Sequence, residues 1–106
     1  MWVVNVYNLE MTEEDYGIEL PITVTGIDFG DGDTLRFTFK TSVNGEILLV
    51  KEFNNIIDNT VNLVFTEEES AIFPVGSYVY NLDWYQLGVM MCNIIKSASL
   101  RVVEKA

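Results

Sequence analysis

The residues of this chain that can do chemistry are almost all carboxylates. Nine of the 16 carboxylates fall in three short runs, at 13–15, 28–33 and 67–69, while the chain has no histidine and one cysteine. Without histidine, serine–histidine and cysteine–histidine catalysis are excluded, and the commonest nitrogen ligand of zinc is absent. Two carboxylates can hydrolyse glycosides, but they must flank a substrate cleft, and a domain of 106 residues offers little cleft. We therefore expect no enzymatic activity, no cofactor and no metal.

The run at 28–33 superficially suggests a calcium loop, because clustered carboxylates on a glycine-containing loop suit hard cations. The EF-hand pattern fails at its twelfth position, and no flanking helices are predicted. An inter-strand turn is the favoured interpretation, with an acidic contact surface as the alternative. The runs at 13–15 and 67–69 are also typical of the first turn of a short helix, where acids complement the dipole.

The charge is strongly negative, with 16 acidic and 6 basic residues and a formal net charge of −10. Half of the acids precede Arg36, the first basic residue, and 52–95 contains no Lys or Arg. Direct binding to nucleic acid is therefore excluded, because its affinity comes mostly from Lys and Arg that displace counterions. Spaced carboxylates can instead imitate a phosphate backbone and bind the basic groove of a protein partner. The alternative is that the charge only keeps the protein soluble and protects sheet edges.

The candidate partner-binding residues share an acidic or aromatic side chain in a turn-rich segment. They are Glu13, Glu14, Asp15, Asp28, Phe29, Asp31, Asp33, Glu67, Glu68 and Glu69. Exposed aromatic residues beside acids can anchor such a contact as hot spots, and Tyr16 and Tyr85 are further candidates for that role.

Cys92 lies in the apolar run 89–92, so we expect a buried, inert thiol. A single cysteine excludes a disulfide within the chain and fits a reducing compartment. The first five residues have no basic region, and no apolar run approaches the length of a membrane span. We expect a soluble protein with no membrane contact, located in the host cytoplasm when expressed.

The dominant hydrophobic period is two, which predicts strands that bury one face. On β-strand 34–40, the inward residues are Leu35, Phe37 and Phe39. Pro21 predicts a strand that lies on a sheet edge or carries a bulge. The predicted strands are 2–9, 17–25, 34–40, 46–53, 61–65, 77–85, 89–95 and 98–104.

Three turns have recognisable signals. Thr12 is a candidate cap of a short helical turn, and Asn44-Gly45 predicts a hairpin with a type I′ turn. Thr66 and Glu69 match a capping box, which predicts a helical turn over 67–72. Seven to eight short strands with one or two helical turns favour an all-β, antiparallel β-sandwich, and residues 1–106 form one domain.

The order of elements from Asp33 onward carries a family resemblance. It includes the Asn44-Gly45 hairpin, the turn at 65–69, a Pro-x-Gly-x-Tyr-x-Tyr pattern over 74–80, and a closing strand at 100–103. The chain resembles the small immunoglobulin-like β-sandwich proteins of phages and prophages of Gram-positive bacteria. It is similar to the N-terminal module of phage baseplate upper proteins, although we expect it to be free-standing, without a fibre repeat or an attached receptor-binding part.

Charge and resemblance together lead to two hypotheses. The first is a non-enzymatic, anti-CRISPR-like inhibitor that blocks a host nucleic-acid-binding defence protein by nucleic-acid mimicry. The second is a virion module of the tail or baseplate, which assembles through sheet edges and apolar patches, self-assembly included. The second hypothesis would place the protein in the virion.

Overall fold

The structure is a computed structural model that describes residues 2–5, 7–14 and 16–105. It is an all-β sandwich, as the hydrophobic period predicts. Its elements are β1 (Val3–Asn5), β2 (Asn8–Thr12), β3 (Leu20–Thr23), β4 (Asp33–Lys40), β5 (Ile47–Phe53), β6 (Thr60–Leu63), α1 (Glu67–Ser70), β7 (Gly76–Gln86) and β8 (Val89–Val103).

The strands form a six-stranded sheet in the order β1-β2-β8-β7-β4-β5 and a two-stranded sheet of β3 and β6. Every pairing is antiparallel except that of β2 with β8, where Leu9 lies opposite Leu100 in a parallel register. The large sheet is therefore mixed, which the prediction of a purely antiparallel fold missed. A parallel pair needs a long connection, and here nearly the whole chain separates the two strands.

Aromatic side chains join the two sheets. Phe37 and Phe39 on β4 are fully buried, as predicted, and Phe65 and Phe73 on either side of α1 are buried against them. The centroid of the Phe39 ring lies 5.3 Å from that of Phe65 and 5.6 Å from that of Phe73, and both pairs are edge-on. Such pairs add about 0.5–1.5 kcal/mol each beyond the burial of their area. We call Phe37, Phe39, Phe65, Phe73 and Tyr80 the aromatic cluster.

The strand that contains Pro21 is an edge strand, as predicted. β3 pairs only with β6 among the described strands, with Pro21 opposite Asn62. Proline has no backbone N–H, so a strand that contains it cannot make all the hydrogen bonds that a central strand makes to its two neighbours.

The predicted capping box is present at α1. The amide of Glu69 donates to Oγ1 of Thr66 at 3.1 Å, and the amide of Thr66 donates to Oε1 of Glu69 at 2.9 Å. The helix ends at Ser70, two residues earlier than predicted, and the chain continues in turns as far as Phe73.

The N-terminal prediction was wrong in two respects. The predicted strand 2–9 is two strands, β1 and β2, which pair with each other. Thr12 begins no helical turn but ends β2 opposite Val103, because pairing with β8 keeps this segment extended. Val6 lies outside the described residues.

The Asn44-Gly45 hairpin joins β4 and β5 as predicted, but its turn is not type I′. Neither residue has a positive φ. The amide of Gly45 donates to the carbonyl of Ser42, and the amide of Thr41 donates to the carbonyl of Glu46, so the loop is longer than a two-residue turn. Consecutive left-handed residues, which type I′ requires, occur instead at Leu87 (φ 48°) and Gly88 (φ 81°), between β7 and β8, and at Asp58 (φ 52°) and Asn59 (φ 56°), before β6.

The last two predicted strands are one strand, β8. The register between β7 and β8 shifts three times, between Tyr80 and Tyr85, and each shift leaves extra residues on β8. Ser97 has a φ of 56° at one shift, where its amide donates to Oδ1 of Asn81 at 2.7 Å. The alternation breaks at this bulge although the strand continues.

The capping box gives a first testable prediction. Thr66→Ala removes the acceptor for the Glu69 amide and is expected to lower the free energy of unfolding by about 1 kcal/mol. Thr66→Ser keeps the hydroxyl and is expected to stay close to the wild type. Urea denaturation measures both variants, and equal stability of the alanine and serine variants would contradict the role of the cap.

Candidate protein-binding surfaces

The structure brings the first and third acidic runs together. The amide of Glu13 donates to the carbonyl of Val103, and the amide of Gly17 donates to the carbonyl of Phe65, both at 2.8 Å. The segment after β2 therefore lies beside the start of α1. The two segments border a groove of about 440 Å³, here called the acidic groove, which is lined by Glu13, Glu14, Tyr16, Glu67, Ser70, Ala71, Phe73, Pro74 and Lys105.

Carboxylates dominate the charge of the acidic groove. Lys105 is its one basic lining residue; its Nζ lies 3.3 Å from Oε2 of Glu14, and its amide donates to Oε1 of Glu13 at 3.2 Å. Both partners of the ion pair are about two-thirds exposed, so the pair contributes little stability. Glu67 and Glu68 are exposed and form no ion pair with a described residue.

Glu69 belongs to the structure of α1 rather than to an open acidic surface. Its carboxylate accepts hydrogen bonds from Nζ of Lys51 at 2.6 Å and from the amide of Thr66. Burial alone would raise the pKa of Glu69, but the hydrogen bonds from Lys51 and Thr66 outweigh it, so the pKa lies below its ordinary value. The carboxylate is thus held in its charged form by internal partners.

The second acidic run lies at the other end of the sandwich. Asp33 pairs with Gln86 at one end of β7, whereas Gly76 at the other end pairs with Val102, which is opposite Met11. The eleven residues of β7 span about 30 Å at roughly 3.3 Å per residue. The three acidic runs therefore do not form one continuous face.

Two candidates in the second run turn out to be internal. Asp33 is 3% exposed, and its carboxylate accepts hydrogen bonds from the amide of Gly30 at 2.7 Å and from Nε1 of Trp84 at 3.1 Å. Phe29 is half-buried, with its ring edge-on to Trp84 at 5.9 Å. Both side chains hold the loop against β7, so among the four candidate residues of this run Asp28 and Asp31 are the exposed ones. Asp15, of the first run, lies outside the described residues.

The predicted aromatic anchors differ in position. Tyr16 is 46% exposed at the acidic groove. Tyr85 is half-buried on the large sheet, where the guanidinium of Arg36 lies 3.9 Å above its ring and also pairs with Glu52. Tyr85 is thus engaged within the fold.

Most basic residues lie on the outer face of the large sheet. The outward residues of β4, which alternate with buried Leu35, Phe37 and Phe39, include Arg36 and Lys40. Arg101 projects likewise from β8, and Lys96 lines a groove with Lys40. Arg36 and Arg101 pair on this face with Glu52 and Glu10. Only Lys51 and Lys105 are left for the rest of the molecule, so most of the net negative charge lies away from this face.

The end of the β7–β8 hairpin is exposed and apolar. We call residues 86–93 the hairpin arm; Leu87 is 83% exposed, and Met90 and Met91 are each 49% exposed. Cys92 is exposed as well, so the expectation of a buried thiol was wrong. An apolar run without alternation predicts a buried strand, but no described strand pairs with the outer edge of β8 at 89–97, and its bulges turn successive side chains outward.

Two further properties concern metals and membranes. Within 2–5, 7–14 and 16–105, no three acidic or cysteine side chains converge as a metal site would require. No helix in the same residues has the length and apolarity to cross a membrane.

Comparisons with protein-family models, with curated proteins and with solved structures find no match to this chain. The resemblance to phage sandwich modules therefore stays a prediction.

The buried Asp33 gives a prediction for stability. Asp33→Ala leaves the Trp84 indole and the Gly30 amide without their acceptor, and we expect a loss of about 2 kcal/mol in the free energy of unfolding. Asp31→Ala, in the same loop but exposed, is the matched control and should change it by less than about 0.5 kcal/mol. Equal effects of the two substitutions in urea denaturation would contradict the internal role of Asp33.

The lowered pKa of Glu69 gives a prediction for acid stability. A carboxyl whose pKa is lower in the folded state stabilises the protein above its unfolded pKa, ordinarily 4.5, and loses that contribution as the pH falls through the folded pKa. The stability difference between wild type and Glu69→Gln should therefore shrink between neutral pH and acid. Glu68→Gln is the control, and a pH-independent difference for Glu69→Gln would contradict this account.

Proposed function

We propose that this protein is a non-catalytic binding module that occupies the basic, nucleic-acid-binding surface of a partner protein through its acidic groove. The observation that carries the proposal is the convergence of two acidic runs, far apart in sequence, on one concave surface. Exposed carboxylates of Glu14 and Glu67 border it, with Glu68 on the adjacent turn.

The chemistry of the acidic groove suits lysine and arginine side chains. A carboxylate pairs with a guanidinium through two parallel hydrogen bonds, and the exposed ring of Tyr16 offers a surface on which the same cation can stack. The groove is open, and carboxylates stand beside its apolar lining, whereas pockets that hold small organic ligands are predominantly apolar. These properties favour a protein ligand.

The net charge of −10 would accelerate such binding. A strongly negative protein is steered toward a positive surface over distances beyond contact, at rates that fall with ionic strength. Binding of this kind blocks a partner stoichiometrically, because one groove neutralises one set of phosphate-binding residues. A host defence nuclease as partner, an anti-CRISPR-like role and a phage origin follow from the sequence resemblance and remain predictions within this proposal.

A second candidate function is a structural module of a virion tail or baseplate. The hairpin arm favours it, since exposed apolar surface of this kind is typical of assembly contacts. Such assembly would depend on apolar contact and would tolerate salt.

Nucleic-acid displacement tests the first proposal. Purified nucleic-acid-binding proteins of the host, each loaded with fluorescent duplex DNA or guide RNA, are titrated with this protein. We expect displacement from at least one of them at a one-to-one ratio, with affinity that falls steeply as the Debye length shrinks from about 8 Å at 0.15 M salt to about 3 Å at 1 M. Displacement from none of them would contradict the proposal.

Two triple variants with the same change in net charge distinguish binding through the acidic groove from attraction by the overall charge of the protein. Replacement of Glu14, Glu67 and Glu68 by Gln should weaken displacement by at least about tenfold, because the neutralised groups contact the partner. Replacement of Asp28, Asp31 and Asp58 by Asn, at the other end, removes three charges as well and should have a much smaller effect. Equal loss in both variants would show that only net charge matters.

A further inference from the structure

The hairpin arm is a charge-free and exposed segment of a highly charged molecule. Residues 86–95 contain no Asp, Glu, Lys or Arg, and their apolar side chains include Leu87, Val89, Met90 and Met91, all exposed. A contiguous exposed apolar surface marks a contact site in soluble proteins. The arm is therefore suited to contact with another molecule.

Opposite charges stand at the two ends of this apolar segment. At the tip, the amide of Leu87 donates to the carbonyl of Gly32 at 3.0 Å, which places the tip beside the exposed Asp31. The Leu87 side chain also packs closely over Gly32: a Cβ atom at position 32 would lie only 2.8 Å from Cδ2 of Leu87, too close for any residue but glycine without a shift of that side chain. At the base, Lys96 and Lys40 line a groove of about 480 Å³ with Met90, Asn93 and Asp83. The Asp83 carboxylate is buried there and accepts a hydrogen bond from Nδ2 of Asn93 at 2.5 Å.

The two lysines at the base have no acidic partner within the described part of the chain. The ion pairs among the described residues involve the other four basic residues. They are Arg36 with Glu52, Lys51 with Glu69, Arg101 with Glu10, and Lys105 with Glu14. Lys40 and Lys96 are thus available to carboxylates of another molecule.

We propose that the hairpin arm binds the hairpin arm of a second copy of this chain, in an antiparallel contact with two-fold symmetry. In such a contact, if residue i of one copy touches residue j of the other, then residue j of the first copy also touches residue i of the second. Asp31 of each copy then faces Lys96 of the other. The midpoint between Leu87 and Lys96 falls at Met91 and Cys92, so the two Cys92 thiols lie close to the symmetry axis.

Electrostatics favours a second copy as the occupant. Two copies with a charge of −10 repel each other over most of their surface, and the arm lets them approach without opposing carboxylates. A two-fold rotation brings the negative charge at the tip of one arm, on Asp31, opposite the positive charge at the base of the other, on Lys96. The proposal does not depend on the acidic groove, which lies at the other end of β7.

Side chains rather than a shared sheet make this contact. The outer edge of β8 is interrupted by three register shifts, and bulges of this kind prevent regular pairing between sheet edges. The same bulges present the apolar side chains of the arm.

Sedimentation equilibrium on the full chain tests the proposal. We expect a dimer with a Kd of about 100 μM or tighter. Met91→Glu places a charge in the contact and should raise the Kd of the dimer by at least about tenfold. Val50→Glu is the matched control, since Val50 is 44% exposed on the opposite edge of the sheet, and it should leave the Kd unchanged. A wild-type chain that stays monomeric at about 1 mM, or equal weakening by both variants, would overturn the proposal.

A charge exchange keeps the test independent of folding defects. Lys96→Asp and Asp31→Lys should each weaken the dimer, and the double variant should recover most of the wild-type affinity, because the ion pair is restored in reverse. Additive losses in the double variant would overturn the proposed register.

The single cysteine provides a direct readout of the symmetry. A short bismaleimide, which joins two thiols by adding one to each maleimide ring, should link Cys92 of two copies in the wild type, much less in Met91→Glu, and not in Cys92→Ser. A dimer that sediments as such but does not cross-link at Cys92 would contradict the antiparallel arrangement.

Discussion

The aromatic cluster is the contact on which the rest of this structure depends. Phe37 and Phe39 belong to the large sheet, whereas Phe65 and Phe73 lie on either side of α1. The edge-on packing of Phe65 and Phe73 against Phe39 holds this segment, and the helix within it, against β4. Because α1 is held there, Glu67 comes to lie beside the segment that contains Glu13 and Glu14. The acidic groove is thus a consequence of core packing: the carboxylates repel one another, and buried aromatic area keeps them together.

The second organising feature is the length of β7. Its eleven residues separate the acidic groove from the hairpin arm, and the two ends differ in chemistry as well as in position. One end carries the concave acidic groove, which suits a basic partner, and the other carries the exposed apolar hairpin arm beside Asp28 and Asp31. Basic residues are concentrated on the outer face between them. A rigid sandwich that carries two dissimilar surfaces can bind two different molecules at once, since neither surface shares residues with the other.

Sequence reasoning succeeded where the signal was local or periodic. The alternation of Leu35, Phe37 and Phe39 predicted the buried face of β4, and Thr66 with Glu69 predicted the cap of α1, because both patterns depend on neighbours in the chain. It failed where contacts between distant residues decided the outcome. Asp33 is internal because Trp84, far along the chain, donates to it, and Cys92 is exposed because no described strand covers the edge of β8 there. The convergence of two acidic runs on one groove is likewise a tertiary effect.

The claim that the two surfaces lie at opposite ends of one rigid sandwich can be measured directly, because Cys92 is the chain's single cysteine. A nitroxide attached to Cys92 broadens the amide NMR signals of residues close to it, at a protein concentration low enough to keep the chain monomeric. The account predicts broadening in the loop at 29–34 and along 83–97, with full intensity retained at Glu13, Glu14, Tyr16 and Gly17 and along 66–71. Broadening at Gly17 or along α1 would contradict it, because it would bring the hairpin arm to the acidic groove.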